Sequence, residues 1–190
     1  MNSHHVVLGL TLETQRLILR PPAVEDFDAY AACMADERTA RFIGGVQVRP
    51  TAWRSFAAMT GSWVLLGFGF FSVIEKASGQ WIGFLGTIRP EGWPGTEVGY
   101  ALIPDAWGKG YAVEGSVAVM DWAFSSLGWT DIIHTINPDN LASQAVARRL
   151  GATNRGPGQL PAPNEALQID IWGQTRAEWE LSRSHLKGGA

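Results

Sequence analysis

From Thr14 onward charge and apolar bulk alternate through Arg16-Leu17-Ile18-Leu19-Arg20 and stop at Pro21-Pro22, a pattern that predicts a first strand at a sheet edge. The period then lengthens. Val24, Phe27, Ala31 and Met34 recur at helical spacing behind Glu25-Asp26, which predicts a helix with acids in its first turn, running to about Ala35. A second helix is predicted from Pro50 to Val64, with Trp53, Phe56 and Ala57 on its buried stripe. After Gly67 strand patterning returns over Phe68–Ile74, Gln80–Ile88 and Thr96–Ile103, with Lys76-Ala77-Ser78-Gly79 and Glu91-Gly92-Trp93-Pro94-Gly95 supplying turn chemistry between them. Those three strands read as an antiparallel meander. Val113, Val117, Met120, Phe124 and Leu127 then step along one face of a long helix that Gly128 stops. The order repeats once more: a strand over Asp131–Ile136, a helix over Leu141–Leu150 closed by Gly151, and a last strand over Gln168–Gly173. Gly156-Pro157-Gly158 through Asn164 reads as a loop. A meander followed by alternating strands and helices predicts an α/β fold on a mixed sheet.

Composition narrows the class. With 190 residues, 46% of them hydrophobic and 17% charged, the chain holds enough apolar mass for one compact domain, residues 1–190 with a core of about 12–180 and flexible termini. A formal net charge of -3 gives no bulk attraction to nucleic acid or an anionic membrane, and through steering it lets cationic amines be tolerated near the cleft. Cys33 is the single cysteine, which excludes an internal disulfide and a multi-thiolate zinc site and fits a reducing compartment. The start, MNSHHVVLGL, lacks the basic and apolar regions of a secretory signal, and no stretch approaches the roughly 20 apolar residues of a membrane span. A soluble, cytoplasmic, metal-free protein is the expectation. His4 and His5 are read as part of a disordered terminus and not as a metal pair.

The segment Pro104-Asp105-Ala106-Trp107-Gly108-Lys109-Gly110-Tyr111-Ala112 carries the most chemistry, because it joins a strand to the long helix and sets two glycines one residue apart. Glycines let backbone N–H groups turn toward an anion, and the unpaired amides of a helix start add the positive end of its dipole. Two familiar phosphate loops fail on spacing: Val113 stands where a dinucleotide fingerprint needs its third glycine, and Gly110 stands where a P-loop needs serine or threonine. Taken alone, the segment is either a pyrophosphate cradle or an ordinary glycine-rich turn.

In context the segment gains specificity. Thr96-Glu97-Val98-Gly99-Tyr100-Ala101-Leu102 followed by Trp107-Gly108-Lys109-Gly110-Tyr111-Ala112-Val113-Glu114 resembles the central block of the GNAT-fold acetyltransferases. Glu13-Thr14-Gln15-Arg16-Leu17-Ile18-Leu19-Arg20, Asn140-Leu141-Ala142-Ser143 and Arg149-Leu150-Gly151-Ala152 are similar to the RimJ and RimL branch, the ribosomal-protein-alanine N-acetyltransferases. The resemblance implies a GNAT fold, with a mostly antiparallel central sheet flanked by helices, and acetyl-CoA as cosubstrate. It implies that Ala101, Leu102 and Ile103 offer a splayed strand edge to the pantetheine arm, and that amides of Trp107, Gly108, Lys109, Gly110, Tyr111 and Ala112 hold the pyrophosphate. Asn140 and Ser143 match the family's pantetheine-binding positions, although Asn140 read by itself also suits a helix cap.

Acetyl transfer to an amine needs a neutral nucleophile, a stabilised oxyanion and a proton for the departing thiolate. An α-amino group with a pKa near 7.7–8 is roughly a tenth neutral at pH 7, so deprotonation costs about 1 kcal/mol, against about 4.6 kcal/mol for lysine. A weak base acting through water suffices for the first. Glu97 stands where many family members carry a catalytic glutamate; the alternative is a structural or substrate-orienting carboxylate. Backbone amides around Tyr100 and Ala101 are the candidate oxyanion donors.

Two positions depart from the family pattern: Ala147 replaces the tyrosine that protonates the thiolate, and Asp105 replaces the Gln or Arg that commonly opens the phosphate motif. Ser143 is the candidate acid in place of that tyrosine, with unaided loss of a thiolate of pKa about 8.5 as the alternative. His134 and Cys33 read as packing residues, and Trp53, Trp63 and Trp93 as core first and acceptor pocket second, whereas Trp107 sits where it can cover part of the coenzyme. The function implied is acetyl-CoA-dependent N-acetylation of a protein N-terminus or a small amine. A non-catalytic acyl-CoA-binding module is the alternative, and a homodimer is compatible but unsignalled. Acceptor choice is expected to lie in the first two helices and in Gly156–Asn164.

Overall fold

A computed structural model describes residues 10–187, so His4 and His5 lie outside the described residues. Eight strands form one mixed sheet in the order β1-β2-β3-β4-β5-β6-β8-β7: β1 (Leu12–Glu13), β2 (Leu17–Arg20), β3 (Phe70–Glu75), β4 (Trp81–Ile88), β5 (Glu97–Leu102), β6 (Asp131–Ile136), β7 (Thr153–Gly158) and β8 (Ile169–Thr175). The pairs β1–β2, β2–β3, β3–β4, β6–β8 and β7–β8 are antiparallel, while β5 and β6 run parallel through Glu97↔Ile133, as the intervening helix requires. This is the α/β mixed sheet the patterning predicts. The helices are α1 (Phe27–Ala35), α2 (Glu37–Ala40), α3 (Arg49–Leu66), α4 (Tyr111–Ser126), α5 (Leu141–Leu150) and α6 (Arg176–Lys187). Among the described residues none is long and apolar enough to cross a membrane.

The chain divides into two compact units, one running to Gly86 and including Tyr100–Tyr111, the other built from Thr87–Gly99 and the chain from Ala112 onward. In the first unit β2 is not the edge: the two-residue β1 pairs outside it through Leu12↔Leu19, too short to show an alternating pattern. The buried face of α3 also differs from expectation. Ala52, Phe56, Met59 and Trp63 are buried, while Trp53 is 47% exposed and Ala57 is exposed, because the helix turns the face one residue away toward Tyr30, Met34 and Phe84. Gly67 ends α3 in the left-handed conformation, φ 76°.

Asp26 ties the start of this unit together. Its buried carboxylate accepts both Arg20 guanidinium nitrogens at 2.7 Å, the Ala23 amide at 2.9 Å and the Ser72 hydroxyl at 2.7 Å. Burial alone would raise its pKa, but the Arg20, Ala23 and Ser72 bonds outweigh burial and hold it below the ordinary carboxylate value.

In the second unit Ser116, Val119, Met120, Ala123 and Phe124 form the buried face of α4, so Met120 and Phe124 of the predicted stripe are core and Val113, Val117 and Leu127 lie at its margin. Ile136, Ala147, Ala152 and Trp172 form a further cluster. The predicted loop from Gly156 to Asn164 begins late: Gly156-Pro157-Gly158 belongs to β7, where Pro157 pairs with Asp170 and Gly158 with Ile169 beyond a register shift. As the outermost strand β7 tolerates a residue without an N–H, so proline and glycine do not end it.

Candidate active site

The two glycines before α4 both lie in the left-handed region, Gly108 at φ 71° and Gly110 at φ 82°. Only glycine takes these angles without strain, so the spacing Gly108-Lys109-Gly110 dictates this turn. A Cβ on Gly108 would meet nothing within 4 Å, and one on Gly110 would meet the Arg16 guanidinium at 3.5 Å. The amides of Gly108, Lys109 and Gly110 donate to no backbone carbonyl among the described residues. The Trp107 amide is different: it donates to the Pro104 carbonyl at 3.0 Å inside a short 3-10 turn, so the cradle expected from Trp107 starts one residue later. Trp107 is 48% exposed and donates its indole N–H to the Leu102 carbonyl at 2.8 Å.

Arg16 holds this turn from the start of the chain. Its guanidinium donates to the Lys109 carbonyl at 2.9 Å and stacks over the Tyr111 ring at 4.5 Å, while the Tyr111 hydroxyl donates to Glu75. Two cations, Arg16 and Lys109, thus stand at a turn of outward amides that opens a helix, an arrangement suited to an anion.

Along β5 the backbone alternates sides. Ile103 donates its N–H to Ile82 at 2.9 Å, which commits Ile103, and with it Ala101, to the β4 edge. Thr96 accepts from Ile133 at 2.9 Å and Val98 from the His134 ring at 2.7 Å, so the even-numbered residues, Tyr100 and Leu102 included, present backbone to the opposite edge. Of the trio Ala101, Leu102 and Ile103, geometry turns Leu102 alone away from β4, with its carbonyl accepting the Trp107 indole.

Glu97 is 6% exposed and enclosed by donors. The Trp93 indole donates to Oε2 at 2.6 Å, the Thr135 amide to Oε1 at 3.0 Å, and the Thr135 hydroxyl lies 3.0 and 3.1 Å from the two oxygens. Burial pushes the Glu97 pKa up to about 7, with the Thr135 and Trp93 bonds restraining the rise. A carboxyl poised there both accepts and releases a proton near neutrality.

Asn140 caps α5 as its sequence suggests, its side chain accepting the Ser143 amide at 3.1 Å; both residues are half-buried. Ala147 is 2% exposed within the apolar cluster of Trp172, so no hydroxyl is supplied from that position. Cys33 is buried, and burial raises its thiol pKa to about 11, which suits packing and not nucleophilic attack. Trp63 is buried in the first unit, Trp53 lies on its surface, and Trp93 alone of the three touches Glu97. His134 donates Nδ1–H to Val98; its buried Nε2 has no partner among the described residues.

Arg16 and Thr135 were not signalled as site residues. Arg16 alternates like any strand residue and Thr135 lies mid-strand, so only the pairings across 93 and 38 positions give them away.

A family model, the acetyltransferase (GNAT) domain, matches residues 16–153. The chain is 29% identical over 150 residues, 76% of its length and 84% of the relative's, to the uncharacterized N-acetyltransferase YoaA of Bacillus subtilis (strain 168). An acetyltransferase structure from Agrobacterium tumefaciens str. C58 aligns with a TM-score of 0.77 at 32% identity, covering 88% of this chain and 95% of that one. The ribosomal-protein-S5-alanine acetyltransferase from Vibrio fischeri shares the fold, with a TM-score of 0.69 at 17% identity over 90% of this chain and 98% of that one.

Proposed function

Since this chain belongs to the GNAT acetyltransferase family, we propose that it transfers the acetyl group of acetyl-CoA to a primary amine, a protein N-terminal α-amine or a small-molecule amine, by direct attack in a ternary complex. Acetyl-CoA supplies the activated thioester; the chain supplies the cradle, the base and the oxyanion donors. The amides of Gly108, Lys109 and Gly110, together with Arg16 and Lys109, suit a diphosphate. Leu102, Asn140 and Ser143 bind the pantetheine arm, and backbone at Tyr100 faces the thioester oxygen.

The observation that carries the reading is the Glu97 carboxyl, buried among three donors with its pKa near 7. In its ionised form it takes the amine proton through water, at the pH where an α-amino group is already partly neutral. Ser143, the hydroxyl that α5 supplies in its first turn, relays a proton to the departing thiolate, taking one from solvent water as it gives one up.

Free thiol release from acetyl-CoA with a panel of peptides and small amines tests the reaction. Glu97→Gln is expected to lower kcat/KM about 100-fold or more. A variant that kept full kcat at every pH would remove Glu97 from the mechanism, and an unchanged Ser143→Ala kcat would leave the thiolate to water.

A further inference from the structure

The second unit holds a cleft of about 830 Å³, within the range of small-molecule sites, lined among others by Arg89, Trp93, Trp129, Asp131, Ile133 and Arg155. Of its lining residues Trp93 touches Glu97, its indole donating to Glu97 Oε2 at 2.6 Å. At Gly95 a Cβ would come within 3.1 Å of the Ile133 side chain, which would have to shift to make room for it.

The charges lining the cleft do not cancel. Arg155 grips Asp131 through two nitrogens at 2.9 and 2.7 Å, which neutralises both. Arg89 has no ion pair or hydrogen bond among the described residues and leaves one positive charge uncompensated. In a chain of net charge -3 that sign is not a product of overall composition. The two indoles with Leu127, Ile133 and Ile171 give the cleft an apolar part beside Thr96 and Thr130, and its lining as a whole is more polar than apolar. A guanidinium fork in a polar cleft that also carries two indoles suits a planar anion on a partly apolar body, and carboxylate is the anion an amine metabolite or peptide most simply carries.

We infer that this cleft receives the acceptor and that Arg89 binds its carboxylate, so the amines acetylated are carboxylate-bearing ones, amino acids or short peptides, in preference to plain cationic amines. The inference rests on the acetyl-transfer reading. It orients the acceptor with its amine toward Glu97 and its anion toward Arg89, and it runs against the tolerance of cationic amines that net charge alone suggests.

The test compares phenylalanine, phenylalaninamide and the dipeptide Phe-Gly as acceptors for wild type and Arg89→Gln. Taking the ratio of kcat/KM values within each protein, and then between proteins, cancels the differing basicity of the amines. The carboxylate-to-amide ratio is expected to fall about tenfold or more in Arg89→Gln. Preference for Phe-Gly over phenylalanine would identify a peptide carboxylate, and the converse a free amino acid. A direct readout accompanies it: N-acetylphenylalanine should perturb wild-type tryptophan fluorescence, through Trp93 and Trp129, at lower concentration than its amide does. Transfer to amines with equal ratios in both proteins would overturn the inference and leave the acetyltransferase reading standing. No thiol release with any amine would overturn both.

Discussion

Trp93 shows how one side chain can set the working pH of another. Its indole N–H meets Glu97 Oε2 at 2.6 Å and favours the ionised carboxylate, opposing the burial that raises the pKa. Trp93→Phe keeps an aromatic wall and deletes only that donor. The Glu97 pKa then rises, and because the base works ionised, the ascending limb of the kcat/KM profile should move to higher pH by about one unit. A limb that stays in place would show that Trp93 does not hold the reacting carboxyl. At the turn, the identity of Gly108 and Gly110 is set by backbone angle, whereas Arg16 is set by what it touches, and that difference decides which of them a sequence can announce.

At the scale of elements, α3 shows the limit of reading a stripe. Trp53, Phe56 and Ala57 and the actual face of Ala52, Phe56, Met59 and Trp63 share one residue, and bulk alone favours Trp53 as core. Its partners decide otherwise: Trp53 lies edge-on to Phe27 at 4.8 Å at the surface, while Phe56 meets Tyr30 at 5.2 Å within the core. Phe56→Ala should therefore cost about 3–5 kcal/mol by urea denaturation. Trp53→Ala should cost about 1 kcal/mol, the worth of an exposed aromatic contact. The reverse order would mean that α3 presents its other face. For β7, proline and glycine signal an end from within the chain, yet the partner β8 extends the ladder through Pro157 because an outer strand has one edge to spare.

At the scale of the whole molecule, two buried groups set opposing pH dependences. Glu97 has its folded pKa raised from 4.5 to about 7, so its contribution falls as pH rises across that interval. Burial holds His134 below the ordinary imidazole value of 6.5, so its contribution rises as pH climbs from the folded value to 6.5. The two offset each other where they overlap. Where both groups titrate stability should be nearly flat, and above pH 6.5 it should decline slightly toward pH 7. Glu97→Gln removes one slope, and its stability should rise by about 1.4 kcal/mol per pH unit below 6.5 until His134 is protonated in the fold. A flat curve for that variant would sink this pairing. Asp26 acts lower, its contribution complete above the ordinary carboxylate range and lost as pH falls through its depressed folded value.

The order of six strands and four helices, the mixed sheet, the GNAT resemblance and the double-glycine turn follow from the sequence, because periodicity, chain order and backbone angle are properties of neighbouring residues, whereas β1, α2, β7 and α6 emerge only in the folded chain. Tertiary structure decided which face of α3 is buried, which backbone groups of β5 and the turn are already spent, that Arg16 holds the Lys109 turn, and that Trp93 and Thr135 hold Glu97. Those facts depend on partners supplied by other strands and loops, and hydrogen-bond capacity is allotted only when the chain closes on itself.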